Sequence, residues 1–262
     1  MSGRGVSLRW LAAAALLFVA CSGCYSTMRK SPRFEERRAR IASVAVMPPD
    51  TEVIEHAFKG SGRRLREDED RVRGNLALIT TRVFVDQGLT AKRANLEEPA
   101  LKEKPELRFK LTQVQEAFAR EMGEAYQEET MRRSKAFKAE HSLGPDVNVF
   151  SDRDQVDGLV FIRVKGVRQS EGQQKLGFFL DTLIGITTGV WDEPGSGENA
   201  VVQIGLVDGT TGDVLWSNMA QTMDFDGMSM EKTIDRMIEG MTPGKKKTDE
   251  KKERNQSWKT DK

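Results

Sequence analysis

Hydrophobic and polar positions recur along the chain with two distinct periods. Ile41 to Met47 is an uncharged run rich in Val, Ile and Ala, which predicts a strand covered on both faces and closed by Pro48 and Pro49. Thr51 to Gly62 reads as a loop or short helix. In Arg63–Gln87, Val72, Leu76, Ile79 and Val83 follow one another at intervals of 4, 3 and 4, the stripe of an amphipathic helix, with Gly88 as its stop. Leu89–Ala94 fits a short strand, and Pro99 and Pro105 bracket a linker.

Glu106 to about Glu140 predicts a long helix. Leu107, Leu111, Val114, Phe118, Met122 and Tyr126 line one side and charged residues the other. Leu107, Phe109 and Leu111 also alternate at strand period, which leaves the start of this element open. Leu143-Gly144-Pro145 ends it. Leu159 to Val164 is the strongest strand signal, introduced by Asp157-Gly158. Ala200–Val207 and Val214–Ser217, joined by Asp208-Gly209-Thr210-Thr211-Gly212-Asp213, read as a β-hairpin. Ser229–Met241 predicts a closing helix with Met230, Ile234, Met237, Ile238 and Met241 inward and Ser229 as N-cap. This order predicts an α/β (or α+β) fold, a mixed sheet with packed helices.

Two segments depart from the pattern. Residues 26–40 are polar and carry six Lys or Arg, as expected of a basic tether. Between Leu176 and Val190 the one ionisable residue is Asp181, and Gly recurs at 177, 185 and 189. This apolar insert reads either as a buried Gly-rich element or as a surface that meets a partner or lipid. Its exposed-surface candidates are Leu176, Phe178, Phe179, Leu183, Ile184 and Ile186. Fifteen residues are too few for a spanning helix, which needs ~20.

At the start, Arg4 and Arg9 precede an uncharged run, Trp10 to Cys21, with the proportions of a signal peptide. Then come Ser22-Gly23-Cys24 and Tyr25. Small residues before a Cys at the end of such a run resemble the lipobox of bacterial lipoproteins. The resemblance implies that the Cys thiol takes a diacylglycerol and becomes the first mature residue. Cys24 is the better match and Cys21, after Val19-Ala20, the alternative. Tyr25 in place of Asp implies, by the same resemblance, delivery to the outer membrane, facing the periplasm. The expected divisions are 1–23 signal peptide, 24–40 lipidated tether, 41–241 α/β domain and 242–262 disordered Lys-rich tail.

Charge adds little beyond this. The 262 residues carry 41 Lys+Arg and 40 Asp+Glu, a net of +1. The tail contributes +4 and the first 24 residues +2, leaving 25–241 at −5. No strongly basic face suggests nucleic acid. Two Cys and two His leave little for a metal centre, and no cofactor is expected. There is no Gly-x-Ser-x-Gly, His-Glu-x-x-His or phosphate-loop pattern, so no enzyme is expected. His56 and His141 read as solvated. Asp146, Asp152, Asp154 and Asp157 form an acidic cluster without the spacing of an EF-hand loop.

The lipobox, the IASVAVMPP strand, DGLVFIRV and VVQIGLVDGTTGDVLWSN together resemble a group of envelope lipoproteins. Their α/β domain is related to the curli-secretion channel lipoprotein and to the amino-terminal domain of TolB. The long charged helix and basic tail depart from that group. The resemblance implies a lipid-anchored protein that works through an envelope protein partner in assembly or secretion. An oligomeric channel component is one alternative. A ligand-binding or hydrolytic domain built on His56, Asp157 and Asp181 is the other.

Overall fold

The computed structural model describes residues 26–56, 62–96, 101, 103–127, 140–169, 198–222, 227–239 and 241. The strands are β1 (Ser26–Lys30), β2 (Ser43–Val46), β3 (Asp50–His56), β4 (Arg63–Arg64), β5 (Thr90–Arg93), β6 (Gly158–Gln169), β7 (Glu198–Asp208) and β8 (Val214–Thr222). The helices are α1 (Phe34–Arg38), α2 (Arg66–Asp86), α3 (Pro105–Gln127), α4 (Asn148–Asp154) and α5 (Gly227–Glu239).

β6 organises the sheet. Its first residues pair in parallel with β2, Val44 to Gly158 and Val46 to Val160. Its second half pairs in parallel with β3, from Asp50 opposite Arg163 to His56 opposite Gln169. Its other edge takes β7 antiparallel over eleven pairs. The sheet order is β1-β8-β7-β6-β2-β5, with β4 on the outer edge of β3. Pro48 and Pro49 fall between β2 and β3, where a chain without N–H donors steps out of the ladder and rejoins it further along. The segment 51–62 is therefore not a loop or short helix at its start. Thr51 and Val53 turn inward at strand period, a signal hidden in the sequence by Glu52 between them and Glu55 beyond.

Both sheet faces are covered, which is why β2 is apolar throughout. Val44 and Val46 join a core with Phe34 of α1, Leu76 and Val83 of α2, and Ile234 and Met237 of α5. Ala45 and Met47 join a second core with Leu111 and Phe118 of α3 and Phe150 of α4. The predicted inner stripes of α2, α3 and α5 are buried as expected. Phe109 is 63% exposed, so the helical period holds from the start of α3 and the strand alternative fails. Pro105 opens this helix rather than closing a linker, at a position where its missing N–H has no partner to lose. Ser229 lies inside the first turn of α5 and is not its N-cap; its Oγ is 3.2 Å from Thr222 Oγ1.

The largest correction concerns the expected tether. Ser26–Lys30 is an edge strand, antiparallel to β8 from Ser26 opposite Ala220 to Lys30 opposite Trp216. Phe34 and Arg29 are buried. Charge density alone suggested a solvated spacer, but the aliphatic stem of an arginine packs well when its head finds partners.

Packing is tight where α3 crosses β7. Phe118 stacks on Phe161 with ring centroids 5.5 Å apart, and a Cβ at Gly205 would meet Phe118 at 2.5 Å. Gly205→Ala is expected to destabilise the domain by about 1–3 kcal/mol, as overpacking does. Adding Phe118→Leu should recover part of that loss in chemical denaturation, because the two sites share one contact.

Candidate functional site

Register alone gathers several chain ends at one end of the sheet. Ala200 on β7 is opposite Thr222 on β8, and Ala220 on β8 is opposite Ser26 on β1. Arg168 is opposite Glu198, and His56 is opposite Gln169. Thus β6 leaves, β7 returns, β8 and β3 finish and β1 begins on the same side. The segment 170–197, which holds the predicted contact residues Leu176, Phe178, Phe179, Leu183, Ile184 and Ile186, starts and ends there. Those six residues, Asp181, and both candidate lipidation residues Cys24 and Cys21 lie outside the described residues. Cys24 nevertheless precedes Ser26 by two residues, an extended span of at most ~7 Å.

The start of the domain is held firmly on α3's side of the sheet. Tyr126 donates its hydroxyl to the Thr27 carbonyl at 3.1 Å, and Ser217 Oγ lies 3.1 Å from the same hydroxyl. The Arg29 guanidinium stands 5.8 Å from the Tyr126 ring centre, a favourable cation–π arrangement. Lys30 Nζ lies 4.3 Å from the Phe34 ring centre and 3.3 Å from Glu35 Oε1. Arg37 on α1 pairs with Asp213 and reaches Thr211 in the β7–β8 turn. Sequence reasoning missed this assembly. Its one visible signal was the Thr-Met-Arg-Lys alternation, and the partners of Thr27, Arg29 and Arg37 are 90 or more residues away.

The predicted acidic cluster does not converge on one site. One oxygen of Asp157, Oδ2, accepts from the Ala42 amide at 3.0 Å and from the Ser43 amide and hydroxyl at 2.8 Å each. Partial burial would raise this carboxyl, but the hydrogen bonds from Ser43 and Ala42 outweigh it and hold it below its ordinary value. Asp154 faces the Asn95 amide at 3.4 Å, and Asp146 faces Lys110 at 3.5 Å. These carboxylates join elements together. Among the described residues no group of three or more His, Cys, Asp and Glu could hold a metal ion. No described helix is long and apolar enough to cross a membrane.

The histidines separate. His141 is buried rather than solvated, with Nδ1 3.0 Å from Glu121 Oε2 on α3, and its carbonyl accepts the Val214 amide at 2.8 Å. His56 ends β3, at the far end of the sheet from Asp157 beside the start of β6. A joint site of His56 and Asp157 is therefore not formed.

What the fold defines is a mixed-sheet α/β domain with helices on both faces. No protein-family model matches the chain, and no match is found among curated proteins. Among solved structures it is similar to the PelC dodecamer from Paraburkholderia phytofirmans, with 9% identity and a TM-score of 0.38 over 84% of this chain and 97% of that one. It is also similar to lipoprotein GNA1162 from Neisseria meningitidis, with 11% identity and a TM-score of 0.34 over 76% of this chain and 97% of that one. A PDZ domain protein from Parabacteroides distasonis aligns at 9% identity and a TM-score of 0.37, over 94% of this chain and 43% of that one. At such identities no residue role transfers.

Two outcomes follow from these contacts. Asp157→Asn should lower stability at neutral pH by about 1 kcal/mol, the usual net worth of such bonds at an exposed carboxylate. Because the folded-state value is depressed, the contribution is complete above the ordinary carboxylate range and is lost as pH falls through the lowered value. Wild type and variant should therefore converge in acid, which urea titrations at several pH values will read. Tyr126→Phe removes one donor from buried oxygens and should cost about 1–3 kcal/mol, measurable as a fall in denaturation midpoint.

Proposed function

We propose that this chain is a lipid-anchored, non-enzymatic envelope protein. It is held on the outer membrane, facing the periplasm, by a diacylglyceryl thioether on Cys24, and acts by protein contact in assembly or secretion. The observation that carries the reading is the succession of basic residues, a short apolar run and Ser22-Gly23-Cys24 directly before the first strand. Two or three acyl chains give stable anchoring, since each buried CH₂ contributes ~0.8 kcal/mol.

The contact surface in this reading is the apolar insert Leu176–Val190, whose flanking strands end on the side of the sheet where β1 begins. A partner embedded in or resting on the membrane would meet both. Asp157 and His141 each join separate elements by hydrogen bonds, which supports folding roles for these two.

Expression of the full-length chain and of Cys24→Ala, followed by fractionation and intact-mass analysis, tests the anchor. The expected result is an acyl-sized mass increase on a membrane-bound product, lost in the variant. An unmodified, soluble product would overturn the reading. For the contact surface, Leu183→Asp with Ile184→Asp should abolish crosslinking to an envelope partner while leaving the thermal midpoint unchanged. A collapse of the midpoint would instead assign the insert to the core.

A further inference from the structure

We infer that the sheet end at which β1 begins lies flat against the phospholipid headgroups. Arg63, Arg64 and Arg66 would meet headgroup phosphates and Met228 would enter the interface. This rests on the lipid anchor proposed above and goes beyond it, because an anchored domain with a long tether would have no fixed orientation.

The first ground is the length of the link. Residues 26–40 are folded, so between Cys24 and the sheet there is no spacer beyond Tyr25. Two extended residues reach at most ~7 Å. The polar layer of one leaflet is about 5–8 Å deep, from the difference between total and hydrocarbon thickness. An acyl-glycerol buried at its lower edge therefore draws the start of β1 to the headgroup level.

The second ground is what else occupies that end. Five neighbour-to-neighbour steps separate β1 from β4, so the rim is roughly 24 Å wide at ~4.8 Å per step. At one side α5 begins, located by the 3.2 Å contact of Ser229 with Thr222 at the end of β8. Its neighbour Met228 is 67% exposed. At the other side are β4 and the first turn of α2, located by Arg63 opposite Glu55 and by the 2.6 Å Arg168–Asp68 pair. Arg63 and Arg64 have side chains 76% and 59% exposed, and Arg66 is exposed with no ion-pair partner among the described residues. Of the nearby acids, Glu55 pairs with Arg63, Glu69 with Arg64, and Asp68 with Arg71 and Arg168, while Glu67 beside Arg66 is exposed. An exposed thioether and guanidinium groups on one rim suit a lipid–water interface, where each basic residue adds to the attraction of anionic headgroups.

The opposite end is different. The β7–β8 turn shows Thr210 and Thr211 to solvent, and the 11 residues of β7 set it roughly 35 Å from the rim.

The test uses the full-length lipidated protein in vesicles of phosphatidylethanolamine and phosphatidylglycerol. A fluorophore is attached at Met228→Cys or at Thr210→Cys, and quenching by nitroxide-labelled lipid is measured, with intact mass taken on the same samples. Acylated protein quenched strongly at 228 and not at 210 is the expected result. Arg63→Gln with Arg66→Gln should bring quenching at 228 down toward that at 210. Acylated protein with equal quenching at the two positions, or stronger at 210, overturns the orientation and leaves the anchor standing. Quenching at 228 that is indifferent to the arginine changes overturns the headgroup contacts assigned to Arg63 and Arg66. A mass without acyl groups overturns the anchor itself, and the orientation with it.

Discussion

The sheet depends on β6, a single twelve-residue strand that pairs with three others at once. β2 and β3 share one of its edges end to end, and β7 takes the whole of the other. The remaining strands are fastened through these. Such a strand must be apolar on both faces where helices cover it, and it is: Val160, Ile162 and Val164 serve one core, while Leu159 and Phe161 serve the other. Further along, the same alternation turns to the partly exposed Arg163 and Lys165, which lie beside Asp50 and Glu52 at 3.4 and 3.8 Å. Those partly exposed pairs contribute little stability, but like charges directly opposite would oppose the register.

Because both halves of β6 are committed, the sheet has a direction. β6, β3 and β8 all finish at one end, where β1 starts. The long connection 170–197 is therefore obliged to leave from the end that receives the amino-terminal segment. The opposite end carries compact junctions: Asp157 bridges the starts of β2 and β6, its carbonyl accepts the Gly209 amide, and Gly212, with φ of +77°, packs where a Cβ would strike Gly144 at 2.1 Å. One end is built for tight closure. The other collects chain entry and the apolar insertion.

β1 shows how edge strands escape a reading by local pattern. Ser-Thr-Met-Arg-Lys has little hydrophobic content, and its stability comes from pairing with β8, Tyr126 beneath Thr27, and Phe34 in the opposite core. β8 and Tyr126 are distant in sequence, and Arg29 is buried beside the Tyr126 ring. The same holds for β3, whose inward Thr51 and Val53 are separated by Glu52, which suggests solvent. His141 looks solvated because its neighbours along the chain are polar, whereas its spatial neighbour is Glu121. In each case the error has one source: burial is a property of position in three dimensions, and short polar-rich segments carry almost none of that information.

Where an element is long or continuously apolar, periodicity was sufficient on its own. It determined α2, the body of α3 though not its ends, α5, β2, the start of β6, and the β7–β8 hairpin, since burying such stripes dominates any local alternative. The resemblance of Ser22-Gly23-Cys24 to a lipobox is likewise carried by the sequence alone. Tertiary structure alone decided that 26–40 belongs to the domain and that the acidic cluster is dispersed among separate junctions. It also decided that chain entry and the apolar insertion share one end of the sheet. Those facts follow from strand register, which couples residues across the whole chain through backbone hydrogen bonds common to every amino acid and therefore leaves little trace in residue type.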